Sequence, residues 1–228
     1  PTLPSYQAFN GRINRLSEVF ALIVKRMLAD TPSDKVDFSI SLIDSMPIMT
    51  CSGRRAGKIA PELTDKGYCS TKKQHYYGLK LHGIAFHIPQ SIPFPEVLML
   101  SPASEHDLSA VKYGLMGMAN RQIYADKAYA NEPLNNQLQK HIQSIILTPV
   151  KLKKGQSKWE RTFNKAADDL FSRAVSAIRQ PIESFFAWLI RKTDIQRASK
   201  VRSAKGLIAH VFGRIAAACA TKVPALNP

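Results

Sequence analysis

The chain has 228 residues and a hydrophobic content of 45%, which allows a buried core and excludes a disordered chain. Its formal net charge is +15, from 32 Lys and Arg residues against 17 Asp and Glu residues, and this excess favours a polyanionic partner. No apolar run reaches the roughly 20 residues that a membrane span needs, so no membrane partner is expected.

Periodicity predicts a helix first and a strand-rich centre after it. Apolar residues recur every three or four positions over residues 5–29, as in an amphipathic helix. From Val36 the period shortens, and β-branched and aromatic residues become frequent, as is typical of strands. The predicted strands are residues 38–43, 75–86, 96–101, 122–125 and 144–148.

The segments between these strands predict loops and helices. Residues 50–74 are polar and basic and predict a loop, while Asp107 is the predicted N-cap of a helix that ends near Met118. A second helix is predicted over residues 132–141. Residues 151–165 are too charged for the core and predict an excursion, after which the chain is helical. This order predicts a mixed five-stranded sheet flanked by helices.

Three carboxylates are candidates for one active site. Asp44 and Asp126 each follow a predicted strand, and Glu183 lies in a helix-like stretch. Sites gather where strands end, and carboxylates can hold two Mg²⁺ ions about 3.5–4 Å apart beside a phosphodiester. The alternative is structural: two turn residues and a first-turn acid in a helix that begins at Pro181. Composition and position leave both interpretations open.

A short repeat in the chain offers two candidates for the second acid, Asp65 and Asp126. The tetrapeptide DKGY at 65–68 nearly matches DKAY at 126–129. Only the second follows a strand-like run, so Asp65 is predicted to lie in a loop outside the site.

Four segments resemble the DDE transposases of insertion sequences, namely IDSMPI, YYGLKLH, ADKAY and RQPIESFFAWL. The likeness is to the families numbered four and 982 and covers about residues 3–218. It implies an α/β, ribonuclease H-like fold with helical N- and C-terminal extensions. It also implies Asp44, Asp126 and Glu183 as catalytic and metal-binding residues, with two Mg²⁺ or Mn²⁺ ions per active site.

The resemblance extends to the surroundings of the third acid. Family members have an Arg four residues before the Glu, and Arg179 matches it. They also have a Tyr seven residues before the Glu and a Lys seven residues after it, where this chain has Ser176 and Ile190. These two departures leave the sub-family open and are also consistent with a decayed copy.

Cations near the third acid and beyond it are candidate DNA contacts. Residues 151–228 carry 16 basic and 5 acidic side chains, against 16 and 12 in residues 1–150. This excess of basic side chains predicts binding to the DNA backbone without sequence specificity. The alternative is a helix face that is merely solvated. The predicted DNA-binding residues are Lys127, Arg179, Arg191, Lys192, Arg197, Lys200, Arg202 and Lys205.

Trp159 lies in the charged excursion and has two interpretations. It either packs the excursion onto the core, which position favours, or stacks on a flipped base as in some relatives.

The resemblance predicts three regions and one activity. Residues 1–35 are expected to be a helical linker, the tail of a truncated N-terminal DNA-binding region. Residues 36–195 form the ribonuclease H-like catalytic domain, and residues 196–228 a basic and apolar helical extension. A transposase that cleaves and joins double-stranded DNA as a homodimer is expected.

Two other functions and one location complete the predictions. The alternatives are a non-catalytic DNA-binding relic of a transposase and a nuclease on the same fold. Three cysteines at wide spacing indicate free thiols in a reducing compartment, so a cytoplasmic location is expected.

Overall fold

A mixed sheet forms the centre of the computed structural model, which describes residues 3–29, 36–55, 57–151, 155 and 157–221. The strands are β1 (Asp37–Ser52), β2 (Asp65–Cys69), β3 (Gln74–His87), β4 (Phe94–Pro102), β5 (Gln122–Tyr124) and β6 (Ile145–Leu147). The helices are α1 (Tyr6–Arg15), α2 (Ser17–Ala29), α3 (Asp107–Leu115), α4 (Glu132–Ile142), α5 (Lys158–Arg179), α6 (Pro181–Thr193) and α7 (Ala204–Ala220).

The sheet is five strand positions wide. β3 pairs antiparallel with β1 along one edge, and with β2 and β4 end to end along its other edge. On the far side of β1, β5 and β6 follow in parallel. All five predicted strands are present, and their spatial order is β4-β3-β1-β5-β6. The predicted α/β, ribonuclease H-like class is therefore confirmed.

Two strand predictions were wrong in extent. β1 does not end at Asp44, because its pairing with β3 continues to Ser52 opposite Tyr76. The predicted loop 50–74 contains β2, whose first residue is Asp65. β2 is short and contains a glycine, so its strand state depends on pairing with β3 rather than on local pattern.

The two faces of the sheet bury separate clusters of apolar residues. One cluster joins Leu42 and Met46 of β1 to α6, α7 and α2. The other joins Ile43 of β1 and Ile123 of β5 to α3 and α4. Neighbouring residues of one strand thus enter opposite clusters, as the alternation of side chains along a strand requires. Asp44 lies between Leu42 and Met46 and shares their face.

Several helix predictions need correction. The helix over residues 5–29 is two helices, α1 and α2, which meet at Leu16. The N-cap of α3 is His106 rather than Asp107, because its Nδ1 atom accepts the Leu108 N–H at 3.3 Å. The predicted excursion belongs to α5 from Lys158 onward, while residues 152–154 and 156 lie outside the described residues.

The described helices were compared with the requirements of a membrane-spanning helix. Among the described helices, none combines the length and the apolar character that a bilayer crossing requires.

Candidate active site

The register of two parallel strands brings Asp44 and Asp126 together. The last pair between β1 and β5 is Leu42 opposite Tyr124, and each acid lies two residues beyond its member of that pair. Asp126 continues in an extended conformation, with φ −73° and ψ 166°. Side chains two residues apart on a strand share a face, so both carboxylates lie at the same edge of the same face.

Burial dominates the electrostatics of Asp44. Its side chain retains 21% exposure, and Oδ1 accepts the Ser45 N–H at 2.8 Å. Burial raises the pKa of Asp44 to about 6, although Arg179 and the Ser45 N–H favour the ionised form. The carboxylates of Asp126 and Glu183 raise it further, which shows that all three acids share one electrostatic environment.

Glu183 reaches the site from the junction of α5 and α6. Pro181 is the first residue of α6, and Gln180 before it keeps helical dihedral angles of −48° and −37°. The chain therefore turns as a helix through the junction, even though proline interrupts the hydrogen bonds. Arg179 and Glu183 consequently lie on one side, as the four-residue spacing predicts.

Arg179 bridges the first and third acids. Its Nη1 atom lies 2.6 Å from Asp44 Oδ2, and its Nη2 atom lies 2.5 Å from Glu183 Oε1. Burial of the guanidinium favours its neutral form, but the carboxylates of Asp44 and Glu183 outweigh this and raise the pKa of Arg179. Arg179 is thus a permanent cation at the centre of the site.

An open groove of about 710 Å³ leads to these residues. Asp126 and Lys127 lie on one wall, and the other wall is α5 with the start of α6. The α5 residues that line the groove are Asp169, Ser172, Arg173, Ser176, Ala177 and Arg179. Sequence reasoning singled out only Ser176 and Arg179 among them. The repeated spacing of three and four residues up to Glu183 is the signal that could have found the rest.

The donor set of this site suits a hard divalent cation, but the side chains are not gathered around one. Three carboxylates supply the oxygen ligands that Mg²⁺ prefers. Within the described residues, no group of three His, Cys, Asp or Glu side chains is close enough to hold a metal ion. Arg179 holds Asp44 and Glu183 instead, so metal binding by all three acids requires Arg179 to release them.

The Arg179 side chain has one donor still available. Its Nε atom is buried and has no hydrogen-bond partner among the described residues. A buried donor without an acceptor is costly, and a phosphate oxygen is a strong acceptor for a guanidinium. This orphaned atom favours an anionic ligand in the groove.

A polar layer lies on the opposite face of β1, behind the acids, and was not predicted from the sequence. The Ser45 hydroxyl donates to Asp107 Oδ1 at 3.1 Å, and Lys80 Nζ lies 3.0 Å from the same oxygen. Tyr129 is buried, and its backbone N–H donates to the Asp126 carbonyl at 3.0 Å. Burial, together with the Asp107 and Asp44 carboxylates, raises the pKa of Tyr129. No local pattern links these residues, because the fold alone joins them.

The structure separates the predicted DNA-binding residues into two groups. Lys127 and Arg179 line the groove beside the acids. The other six are exposed and follow one another from the end of α6 to the start of α7: Arg191, Lys192, Arg197, Lys200, Arg202 and Lys205. Ile190, in contrast, packs against the main core.

Two residues outside the acids occupy environments that differ from prediction. Trp159 does not pack onto the core, because its side chain is 70% exposed and stacks on Phe163 with ring centroids 5.1 Å apart. Asp65 lies in β2 rather than in a loop, where Oδ1 accepts the Ser104 N–H at 2.7 Å.

Comparison with known proteins identifies the family to which the chain belongs. A family model described as the transposase DDE domain matches residues 36–219, which is most of the chain. No curated protein and no solved structure gives a significant match. The family match contains all three acids, and the chain therefore belongs to the DDE-domain transposases.

Proposed function

We propose that this transposase cleaves DNA strands and joins them to a target in a metal-dependent reaction, as a homodimer on double-stranded DNA. One observation carries the proposal. The parallel register of β1 and β5 brings Asp44 and Asp126 side by side, and Arg179 ties Asp44 to Glu183. An acid cluster joined to a cation with an unused donor suits a phosphodiester substrate.

The three acids have distinct environments and therefore distinct tasks. Asp44, Asp126 and Glu183 would hold Mg²⁺ or Mn²⁺, which activates a water or a 3′-hydroxyl and stabilises the leaving oxygen. Asp44 is the least exposed of the three acids and fixes the centre of the site, since the Ser45 N–H and Arg179 both hold it. Glu183, at 54% exposure, has a carboxylate with more room to move than that of Asp44 at 21%.

Arg179 acts on the substrate in this mechanism. With a metal ion held by the acids, its guanidinium would no longer have to neutralise them and would be available to a phosphate oxygen. That oxygen would also supply the acceptor that its Nε atom lacks. Lys127, exposed on the opposite wall of the groove, adds a second contact to the same backbone.

The test is a cleavage and joining assay on DNA that carries the ends of the element encoding this chain. Wild type is compared with Asp126→Asn and Glu183→Gln in Mg²⁺ and in Mn²⁺, and DNA binding is measured separately. Asp65→Asn is the matched control, because it changes the near-identical tetrapeptide on β2. We expect both site variants to lose cleavage and keep binding, and the control to retain both.

Two other outcomes would favour the alternative functions. Binding without cleavage in either metal would indicate a DNA-binding relic, with which Ser176 and Ile190 are consistent as departures from the family pattern. Cleavage without joined products would indicate a nuclease on the same fold. Assignment to insertion-sequence family four or 982 and the division at residues 35 and 195 stay predictions.

A further inference from the structure

A second cationic surface lies beside the β2–β3 hairpin, at the end of the β1–β3 pair away from the acids. Its members are exposed side chains, of which only Arg202 was predicted from the sequence as a DNA contact: Arg54, Arg55, Lys58, Lys66, Lys73 and Arg202. Within the described part of the chain, none of them forms an ion pair with an acid. We call this set the hairpin surface. Uncompensated charge of this density repels itself unless an anionic partner covers it.

The fold joins these residues from four separate segments. Arg54, Lys66 and Lys73 line one cavity, while Arg55, Lys58 and Arg202 line the next. Both cavities share Ser52, the last residue of β1, so the two groups are continuous.

Backbone hydrogen bonds fix the segment that carries Arg202. The Met49 N–H donates to the Gln196 carbonyl at 2.8 Å, and the Ala198 N–H donates to the Met49 carbonyl at 2.9 Å. The chain between α6 and α7 therefore adds to the edge of β1 beyond the point where β5 ends. The position of Arg202 follows from the sheet.

Lys66 of the hairpin surface lies on the same face of the sheet as Asp44. Ile48 lies four residues after Asp44 on β1, and both share one face with Leu79, which pairs with Ile48. Tyr77 lies two residues before Leu79, and Lys66 of β2 pairs with Tyr77. Lys66 thus projects from the face that carries the active site.

The separation of the two sites suits one duplex. Eight residues of β1 separate Asp44 from Ser52, and at about 3.3 Å per residue they span about 25 Å. At 3.4 Å per base pair, this distance corresponds to about seven base pairs of duplex DNA. α6 joins the two sites, since it begins near Glu183 and leads to the segment beside Met49, and it carries the exposed Arg191 and Lys192.

We propose that the hairpin surface binds the phosphate backbone of double-stranded DNA about seven base pairs from the bond held at the acids. The inference rests on the DNA-acting function proposed above. Guanidinium and ammonium groups without neighbouring acids match a regular array of phosphates and need no base-specific contact. The surface would therefore hold the duplex in register with the active site whatever its sequence.

The test is DNA binding by the full 228-residue chain with neutralised cations, measured without divalent metal. The variant Arg54→Gln/Lys58→Gln/Lys66→Gln removes three charges from the hairpin surface. The control Lys25→Gln/Lys112→Gln/Lys140→Gln removes three exposed charges from α2, α3 and α4. The probes are fluorescent duplexes of random sequence, one of about 8 and one of about 24 base pairs, over a range of salt concentrations.

We expect the hairpin variant to bind the longer duplex about tenfold more weakly, with a salt-dependence slope lower by about 3. The control should keep the wild-type affinity and slope. Wild type should also gain more affinity than the hairpin variant when the duplex is lengthened, because a duplex of about 8 base pairs reaches both sites only when its ends lie at them, whereas the longer duplex reaches both in many positions.

Two results would overturn the proposal. One is equal affinity and equal slope for the hairpin variant and the control. The other is stronger competition by RNA: a double-stranded RNA of the same length displaces the labelled DNA at a lower concentration than unlabelled duplex DNA does. Because no cleavage is required, a chain that fails to cut DNA while the hairpin variant loses binding would remove the catalytic proposal and leave this one standing.

Discussion

Arg179 lies 2.6 Å from Asp44, although 135 positions of sequence separate the two residues. The contact connects the last residue of α5 to the middle of the longest strand. It also places a permanent positive charge against an acid that burial drives toward its neutral form. The stability of this corner of the fold and the chemistry of the site therefore depend on the same pair.

Removal of Arg179 is expected to destabilise the protein in a pH-dependent way. Arg179→Gln leaves Asp44 half-buried and without its counterion, which costs on the order of 3 kcal/mol of unfolding free energy at pH 7.5. At pH 4.5 the loss should be smaller, because Asp44 is then largely protonated and needs no cation. Urea denaturation at both pH values measures the difference.

Arg173→Gln is the matched control for that experiment. Arg173 lies on the same helix and in the same groove, but it is exposed. Its loss should change the unfolding free energy by less than about 0.5 kcal/mol at either pH. An equal loss for Arg179→Gln at pH 7.5 and pH 4.5 would show that packing of the side chain, not its charge, is what matters.

Neutralisation of Asp44 is expected to stabilise the protein while it abolishes cleavage. The pKa of Asp44 is raised from 3.8 to about 6, so its contribution to stability is fully present below pH 3.8 and is lost as the pH rises through 6. Asp44→Asn removes this penalty and should raise the unfolding free energy at pH 7.5 by about 1–3 kcal/mol.

Asp126→Asn, the same change at the second acid, is the control for the unfolding experiment on Asp44→Asn. Asp126 is exposed, so Asp126→Asn should leave the unfolding free energy within about 0.5 kcal/mol of wild type. A variant Asp44→Asn that unfolds more easily than wild type at pH 7.5 would mean that the ion pair with Arg179 outweighs burial.

The sequence predicted the elements whose pattern is local and missed those that depend on partners. The runs at β3 and β4 carry the strand signal themselves, and both were found. β2 has no such signal and becomes a strand only because Gly67 and Cys69 pair with Tyr76 and Gln74. For the same reason the prediction ended β1 at Asp44, two residues beyond its last pair with β5, although its pairing with β3 continues to Ser52.

The candidate site follows the same division. Asp44, Asp126, Glu183 and Arg179 could be named because they match family motifs at fixed positions in the chain. Asp107 and Lys80 could not, since their meeting with Ser45 depends on where α3 begins above the sheet.

His82 is expected to make stability fall in mild acid. Burial lowers its pKa to about 4, with the Lys80 charge adding to the effect and Asp107 opposing it. The contribution to stability is present above pH 6.5 and is lost as the pH falls toward 4, because the unfolded chain takes up the proton first. Over the same range Asp44 acts with the opposite sign, so the wild-type profile alone does not isolate either group.

A difference measurement isolates the histidine. The unfolding free energy of wild type minus that of His82→Gln should decrease between pH 6.5 and 4.5, and the same difference for the exposed His75→Gln is measured in parallel as the control. Equal slopes for the two variants would contradict the buried, neutral state of His82, which its contact with Ser101 at 2.8 Å supports.

Trp159 is expected to contribute to DNA binding and not to stability. Trp159 and Phe163 form an exposed stacked pair on the first turns of α5, so Trp159→Ala should change the unfolding free energy by less than about 0.5 kcal/mol. An exposed ring that already stacks on another can accept an unpaired base, which is worth about 1–3 kcal/mol. The affinity for a duplex with a single-stranded end should therefore fall at least fivefold, while the affinity for a blunt duplex should not change.

Tyr113→Ala is the control, since Tyr113 is 89% exposed on α3 and its loss should not change the affinity for either duplex. Equal binding of the frayed duplex by Trp159→Ala and Tyr113→Ala would leave base stacking without support and favour a protein contact for this pair of rings.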